Sequence, residues 1–303
     1  MKRTVWVSGS RGFVGSHLIP WLRSTGYTVT CVSNASPSDG HVVQLDLSDP
    51  RQIQKTLDRL GAPEVFLHLG WGHVYQTESL DHLTTNVQNG INLVDACFES
   101  GVERFVLIGS SSEYGERVGA LSEDLAAEGE LNNYIKGKAT LSAYGLEAAA
   151  RLGRTFLHVR LSYTFGAGQQ HNSLINQLFK SSVERRPISL SPCEHYRDYI
   201  YVGDVAEGIT RISQVQGSNT VNLGSGKVIQ LKEFIRQFWS QLGSDPKLLE
   251  FGAHTKPAHE PAQPHCYLDL AKLKSLTDWT PTWSIQDGIA ETVAQLRSGG
   301  LTV

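Results

Sequence analysis

The chain has 303 residues, a formal net charge of −3 and a pI near 6.4. That length can bury a full core, as one large α/β unit or two closely joined lobes. The near-balanced charge shows no basic stripe, which excludes nucleic acid as the expected partner, and no stretch reaches the ~20 apolar residues of a membrane span. The start, Met1 to Arg11, lacks the apolar run of a secretory leader. Cys31, Cys97, Cys193 and Cys266 are scattered and unpaired in sequence, as expected of reduced thiols in a cytoplasmic protein.

The predicted elements alternate. Thr4 to Ser8 reads as a strand that enters a glycine-rich turn, and Phe13 to Ser24 as the helix that leaves it. Strands follow at Tyr27 to Val32, Val42 to Leu45 and Glu64 to Leu69. Asn86 to Ser100 is a helix with Val87, Ile91, Val94 and Phe98 on one face and Gly101 as its stop. Arg104 to Ile108 is a strand, Tyr134 to Leu152 a helix and Thr155 to Val159 a strand. This order predicts a Rossmann-type doubly wound parallel sheet over residues 1–168. Beyond it prolines multiply and elements shorten, which predicts a smaller C-terminal α/β substrate lobe over 169–303. A segment near 197–225 is expected to return to the first unit. Helices Leu231 to Leu242 and Ser284 to Leu296 stand out, the second with Ser284 as N-cap.

Gly9, Gly12 and Gly15 mark the turn between the first strand and helix, with Ser10, Arg11, Phe13 and Val14 completing it. Glycines there let the backbone approach a pyrophosphate, and the helix N-terminus adds its dipole and free N–H groups. The second strand ends at Ser33 and Asn34, where an NAD-preferring protein usually carries a carboxylate. Ser33 repels no 2′-phosphate, and Arg11 could bind one with its forked guanidinium. NADP(H) is therefore expected, with NAD as the alternative. Asp46 and Leu47 are placed to meet the adenine; Leu69, Gly70 and Trp71 are placed to line the cofactor. Each could also be an ordinary strand-end loop.

Tyr134 and Lys138 stand four residues apart, so a helix puts them on one face. A nearby ammonium favours phenolate, so the tyrosine pKa is expected to fall and the group to serve as acid or base. Ser110 leaves the carboxyl end of the preceding strand and could orient a substrate carbonyl beside them, although a serine-rich loop alone would be unremarkable. His254, His259, His265 and Cys266 match no usual zinc spacing, so no metal is expected.

Together these residues resemble the extended short-chain dehydrogenase/reductases of the nucleotide-sugar branch, along essentially the whole chain. The likeness rests on Gly9, Gly12, Phe13 and Gly15, on Asp46-Leu47, His68-Leu69-Gly70, Asn86-Val87 and Ser110 to Gly115, and on Tyr134 with Lys138, Arg160 and Arg197 to Asp204. It implies Tyr134 as proton donor or acceptor, Lys138 as the group holding the nicotinamide ribose, and Ser110 as the orienting hydroxyl. Ser111, Asn172 and Arg197 are the substrate contacts it suggests, Arg197 meeting a nucleotide diphosphate unless Asp198 or Asp204 engages it instead. A homodimer through helices 86–100 and 134–152 is also implied, with Gly137, Ala143, Gly145 and Ala148 small enough for close approach; the same residues could instead pack on the chain's own sheet.

Dehydratases of this branch usually carry an acidic pair after the hydroxyl residue, where this chain has Ser111 and Ser112. Arg11 with Ser33 tilts toward a reductase that consumes NADPH, and the later segments are similar to CDP-abequose synthases and GDP-4-keto-6-deoxymannose reductases. The expected reaction is reduction of the C4 ketone of a nucleotide-linked 4-keto-6-deoxy sugar. The alternatives are an epimerase with tightly held NAD and a non-catalytic cofactor-sensing protein. The chain departs from the branch at Tyr163, where asparagine is usual, and lacks a common C-terminal arginine that Lys256 or His259 could replace.

Overall fold

The computed structural model describes residues 3–34, 42–255 and 266–299. Lys256, His259 and His265 lie outside them. The first half runs β1 (Thr4–Ser8), α1 (Phe13–Ser24), β2 (Thr28–Ser33), β3 (Val42–Gln44), α2 (Pro50–Leu60), β4 (Val65–His68), α3 (Thr85–Glu99), β5 (Arg104–Ile108), β6 (Gly119–Leu121), α4 (Asn133–Leu152) and β7 (Thr155–Leu161). The second half runs β8 (Tyr163–Phe165), α5 (Leu174–Val183), β9 (Ile188–Leu190), β10 (Tyr196–Arg197), β11 (Tyr199–Tyr201), α6 (Val202–Ile212), β12 (Asn219–Leu223) and β13 (Ile229–Gln230). It ends with α7 (Leu231–Gln241), β14 (Leu249–Phe251), β15 (Cys266–Leu268), α8 (Ala271–Thr277) and α9 (Ile285–Arg297).

A seven-stranded sheet in the order β12-β7-β5-β4-β1-β2-β3 forms the body of the molecule, and every pairing in it is parallel. Its central strands are apolar on both sides because helices cover both faces. One layer is built from α1, α6 and α8, which bury Leu18, Leu22, Val205, Ile209 and Leu273 against Val5, Val7, Leu67 and Val106. The other is built from α2, α3 and α4, with Ile53, Leu93, Val94, Leu141 and Ala148 packed on Phe66, Phe105 and Phe156. A second core, around Phe165, Phe234, Phe238, Trp239 and Val293, holds the smaller C-terminal lobe together.

The lobe and the sheet are woven from alternating stretches of chain. β12 completes the sheet edge beside β7, and α8 returns to the sheet after β15 has paired with β6. Buried polar groups tie these crossings. The Asp198 carboxylate accepts hydrogen bonds from the Ser225 amide (2.7 Å), the Gly226 amide (3.1 Å), the Leu268 amide (3.1 Å) and the Ser162 hydroxyl (3.3 Å). Asn222 donates to the Leu121 and Asp269 carbonyls and accepts from the Tyr114 hydroxyl at 2.7 Å.

The small residues of α4 are mostly spent inside the chain. A Cβ at Gly145 would overlap the Phe156 ring, and one at Gly137 would overlap the His82 carbonyl. Ala148 is buried on the sheet, which leaves Ala143 exposed. Gly145 and Ala148 are taken up by packing on the chain's own sheet, and Gly137 by packing on the turn at His82.

Candidate active site

The first cleft opens at the carboxyl ends of β1 and β4, where the strand order reverses, the position at which doubly wound sheets bind ligands. Its floor is the turn from β1 to α1. Gly9 has φ +70°, and a Cβ there would press into the Leu69–Gly70 backbone; one at Gly15 would overlap the Ser10 carbonyl carbon and oxygen. The turn thus brings bare backbone to the start of α1, whose free N–H groups favour an anion. The cleft holds about 390 Å3 and is lined by Gly9, Ser10, Arg11, Gly12, Ser33, Asn34, Asp46, Leu47, Gly70 and Trp71. Those residues fit a dinucleotide.

Arg11 reaches across to the end of β2, where its Nη2 donates to the Ser33 Oγ at 2.9 Å. Asp46 stands exposed at the rim and holds the Ser48 amide and hydroxyl, at 2.9 and 2.7 Å, which keeps its carboxyl below the ordinary range. Phe13, Val14 and Leu69, expected at the cofactor, do not line this cleft. Phe13 packs with the C-terminal lobe, and Val14 and Leu69 pack on the sheet core. The cleft also gains Ser8, His68, His73, Thr85, Asn86 and Asn89, which the sequence did not single out as cofactor contacts. Asn86 is fixed by Gly72, donating to its carbonyl and accepting from its amide, each at 3.1 Å.

Beyond Trp71 lies the tyrosine–lysine pair. Asn132 caps α4 by accepting from the Ile135 amide at 3.0 Å, and the Tyr134 amide donates to the Thr77 carbonyl at 2.9 Å. The Tyr134 ring stands edge-on to His82 and Trp71, with centroids 5.4 and 6.4 Å away. Lys138 is buried; its Nζ donates to the Ile108 carbonyl at 2.6 Å and lies 4.0 Å from the Trp71 ring centroid.

Burial reverses the expected effect of the lysine on the tyrosine. Desolvation pushes the Tyr134 phenol up to about 12, helped by the Glu113 charge and opposed by contact with the Ser110 side chain. Desolvation likewise brings Lys138 down to about 7, against the pull of Glu113. An ammonium that is itself reluctant to ionise cannot hold a neighbouring phenolate. Tyr134 therefore stands in its proton-donating form.

Ser110 caps the short 3₁₀ turn Ser111–Tyr114 that follows β5. Its Oγ accepts from the Ser112 amide at 3.1 Å, which leaves the hydroxyl proton free to donate elsewhere. Ser111 and Ser112 open onto a second cleft of about 900 Å3, also lined by Arg117, Asn132, Tyr163, Ser191, His195, Arg197 and Tyr199. Arg197 is buried; it donates to the Tyr196 carbonyl at 2.8 Å and faces the Tyr163 ring at 5.2 Å. The expected competitors for it are engaged elsewhere: Asp198 as described, and Asp204 by the Thr282 and Trp283 amides at 3.1 and 3.0 Å. Ser110, Tyr134 and Lys138 line neither cleft, and nor does Asn172. Asn172 sits exposed in the turn before α5, and its carbonyl accepts from Gln177 at 2.6 Å. Among the described residues, no cluster of side chains could hold a metal ion, and no helix is long and apolar enough to cross a membrane.

A glycine cradle at the switch point, with a tyrosine and a buried lysine beside it, defines a doubly wound dinucleotide-binding protein. The chain belongs to the NAD dependent epimerase/dehydratase family, which residues 5–224 match. It is 25% identical over 325 residues to "Uncharacterized UDP-glucose epimerase YtcB" of Bacillus subtilis, covering 97% of this chain and 98% of that protein. It is 23% identical to CDP-abequose synthase of Salmonella typhimurium over 310 residues, covering 98% and 99%. Among solved structures, MoeE5 in complex with UDP-glucuronic acid and NAD superposes with a TM-score of 0.82 at 24% identity, covering 98% and 99%.

Proposed function

We propose that the protein uses NADPH to reduce the C4 ketone of a nucleotide-linked 4-keto-6-deoxy sugar. The observation that carries this reading is the set of proton-transfer groups that stand beside the two clefts. Tyr134 is a protonated phenol, Ser111 and Ser112 stand where a dehydratase would place carboxylates, and Glu113 is turned away into the protein beside His158. Nothing at those positions offers the extra acid and base that removing water requires. The reduced dinucleotide would supply the hydride. Ser110 would donate a hydrogen bond to the ketone oxygen, Tyr134 would give it a proton, and Lys138 would hold the ribose. Arg197 would face the substrate diphosphate, where a guanidinium matches paired phosphate oxygens. The Arg11–Ser33 contact supports NADPH, because it sets a fixed cation, with no carboxylate at Ser33 or Asn34, at the end of β2.

A second reading, epimerisation with tightly held NAD, is favoured by the relative named as an epimerase and by the NAD in the MoeE5 complex. One experiment separates the two. NADPH is supplied with CDP-, GDP-, dTDP- and UDP-linked 4-keto sugars, and loss of reduced-nicotinamide absorbance is followed. Reduction predicts consumption with at least one of them. Inactivity across the panel, with NAD retained through purification, favours the epimerase instead.

A further inference from the structure

Glu113 and His158 form a buried hydrogen-bonded pair beneath the site that the proposed chemistry does not use. Their side chains are 2% and 1% exposed, with His158 Nε2 3.1 Å from Glu113 Oε2. Burying such a pair away from water is costly unless its geometry and further hydrogen bonds compensate. Here the hydrogen bonds lead in two informative directions.

On one side, Glu113 Oε1 accepts from the Ser110 amide at 2.8 Å, closing a capping box around the serine. On the other, His158 Nδ1 lies 2.9 Å from the Ser142 hydroxyl. Ser142 stands one helical step beyond Lys138 and two beyond Tyr134, on the same face of α4. A continuous buried path thus runs from Ser110 through Glu113 and His158 to the helix that carries the tyrosine and lysine. Gly109 is fitted to this path, since a Cβ there would overlap both the His158 ring and the Glu113 carboxylate.

We propose that Glu113 and His158 are positioning residues that hold Ser110 in register with Tyr134 and Lys138. The proposal rests on the reading of Ser110 and Tyr134 as the groups that face the reacting oxygen.

The pair also sets the local charge. Burial pushes Glu113 up, but His158, the Ser110 amide and Arg160 outweigh it and hold the carboxyl below its usual range. Arg160 Nε lies 3.8 Å from Glu113 Oε2. On the other side, Glu113 faces Tyr134 and Lys138 and raises both, while His68, at the end of β4 on the side of the sheet that α4 covers, faces Lys138. Glu113→Gln keeps an acceptor for the Ser110 amide and can donate to a neutral His158 ring, so it removes the charge but not the path. Glu113→Ala removes both.

The test compares wild type, Glu113→Gln, Glu113→Ala and Ser142→Ala. It measures kcat, KM, NADPH affinity by fluorescence, melting temperature and hydrogen exchange at the Ser110 amide. Misplacing Ser110 in Glu113→Ala should lower kcat ~10–100-fold, with KM and NADPH affinity little changed. Glu113→Gln should recover most of that loss, and its alkaline limb of kcat should move to lower pH, since the charge that raised Tyr134 is gone. Ser142→Ala should give a smaller loss of the same kind. An unchanged kcat in Glu113→Ala, or an alkaline limb that does not move in Glu113→Gln, overturns the proposal. If wild type reduces no keto sugar, the reading of the site has failed separately. Exchange at the Ser110 amide still decides the pairing: faster exchange in Glu113→Ala with the melting temperature held supports it, and unchanged exchange sinks it. Should Glu113→Ala not fold, the Glu113→Gln pH profile and Ser142→Ala decide alone.

Discussion

His68 should govern a large part of the protein's sensitivity to acid. It lies on β4, buried, with Nδ1 2.7 Å from the Ser8 Oγ and its ring tilted against Phe105. Burial, and then the charge of Lys138, lowers its pKa from 6.5 to about 3. The unfolded chain therefore takes up a proton below pH 6.5 that the folded chain refuses until about pH 3. The stability gained from keeping this ring neutral is complete above pH 6.5 and drains away as the pH falls. Each pH unit within that window costs about 1.4 kcal/mol, so lowering the pH to 5 gives a loss of about 2 kcal/mol from this residue. His68→Asn removes the titration and keeps an amide that can bond Ser8. Urea unfolding of both proteins at pH 5, 6, 7 and 8 isolates the effect, because other titrating groups cancel in the difference. The variant's deficit relative to wild type should shrink by about 2 kcal/mol between pH 7 and pH 5. A deficit that stays constant across the range would refute the reasoning.

The cofactor preference rests on Arg11, so Arg11→Ala should weaken NADPH binding by roughly tenfold or more, a loss of about 1.4 kcal/mol. Binding of NADH should be little affected, and equal losses for the two, read by fluorescence titration, would place the guanidinium elsewhere. Tyr114→Phe should cost about 1–3 kcal/mol in denaturant unfolding, because it strands the buried Asn222 Oδ1 without its donor. A change below a few tenths would mean that Asn222 finds another partner.

The sheet was legible because its strands and helices alternate with clear periodicity and its glycine turn follows directly from β1. Other elements left signals that went unread. Pro50 to Leu60 is a helix announced by Asp49, whose side chain accepts from the Arg51 and Gln52 amides, and by Pro50 at its first turn. Its mostly polar composition hid a narrow apolar stripe of Ile53 and Leu57. Val202–Ile212 was hidden differently, since its apolar residues face the sheet from a stretch that reads as the end of a substrate motif.

At the site, the tyrosine–lysine spacing and the glycine turn could be read from sequence, but their electrostatics could not. The expected fall in the Tyr134 pKa considered the charge pair alone, whereas desolvation depends on how deeply both groups are buried. Glu113 and His158 are 45 residues apart, and only the adjacency of β5 and β7 brings them together. Asn172 lies in the turn before α5, and nothing in a loop sequence says which way such a turn faces.

The weave between sheet and lobe bears on how this protein can diverge. Specificity in many enzymes is exchanged by recombining whole modules at one junction. Here a single crossover near residue 168 would import a foreign β12 onto the edge of β7 and a foreign partner strand for β6. It would also separate Ser162 and Tyr114 from the Asp198 and Asn222 side chains that answer them. New substrate preference therefore has to accumulate by point changes in the walls of the second cleft, residue by residue, while the stitching beneath stays fixed.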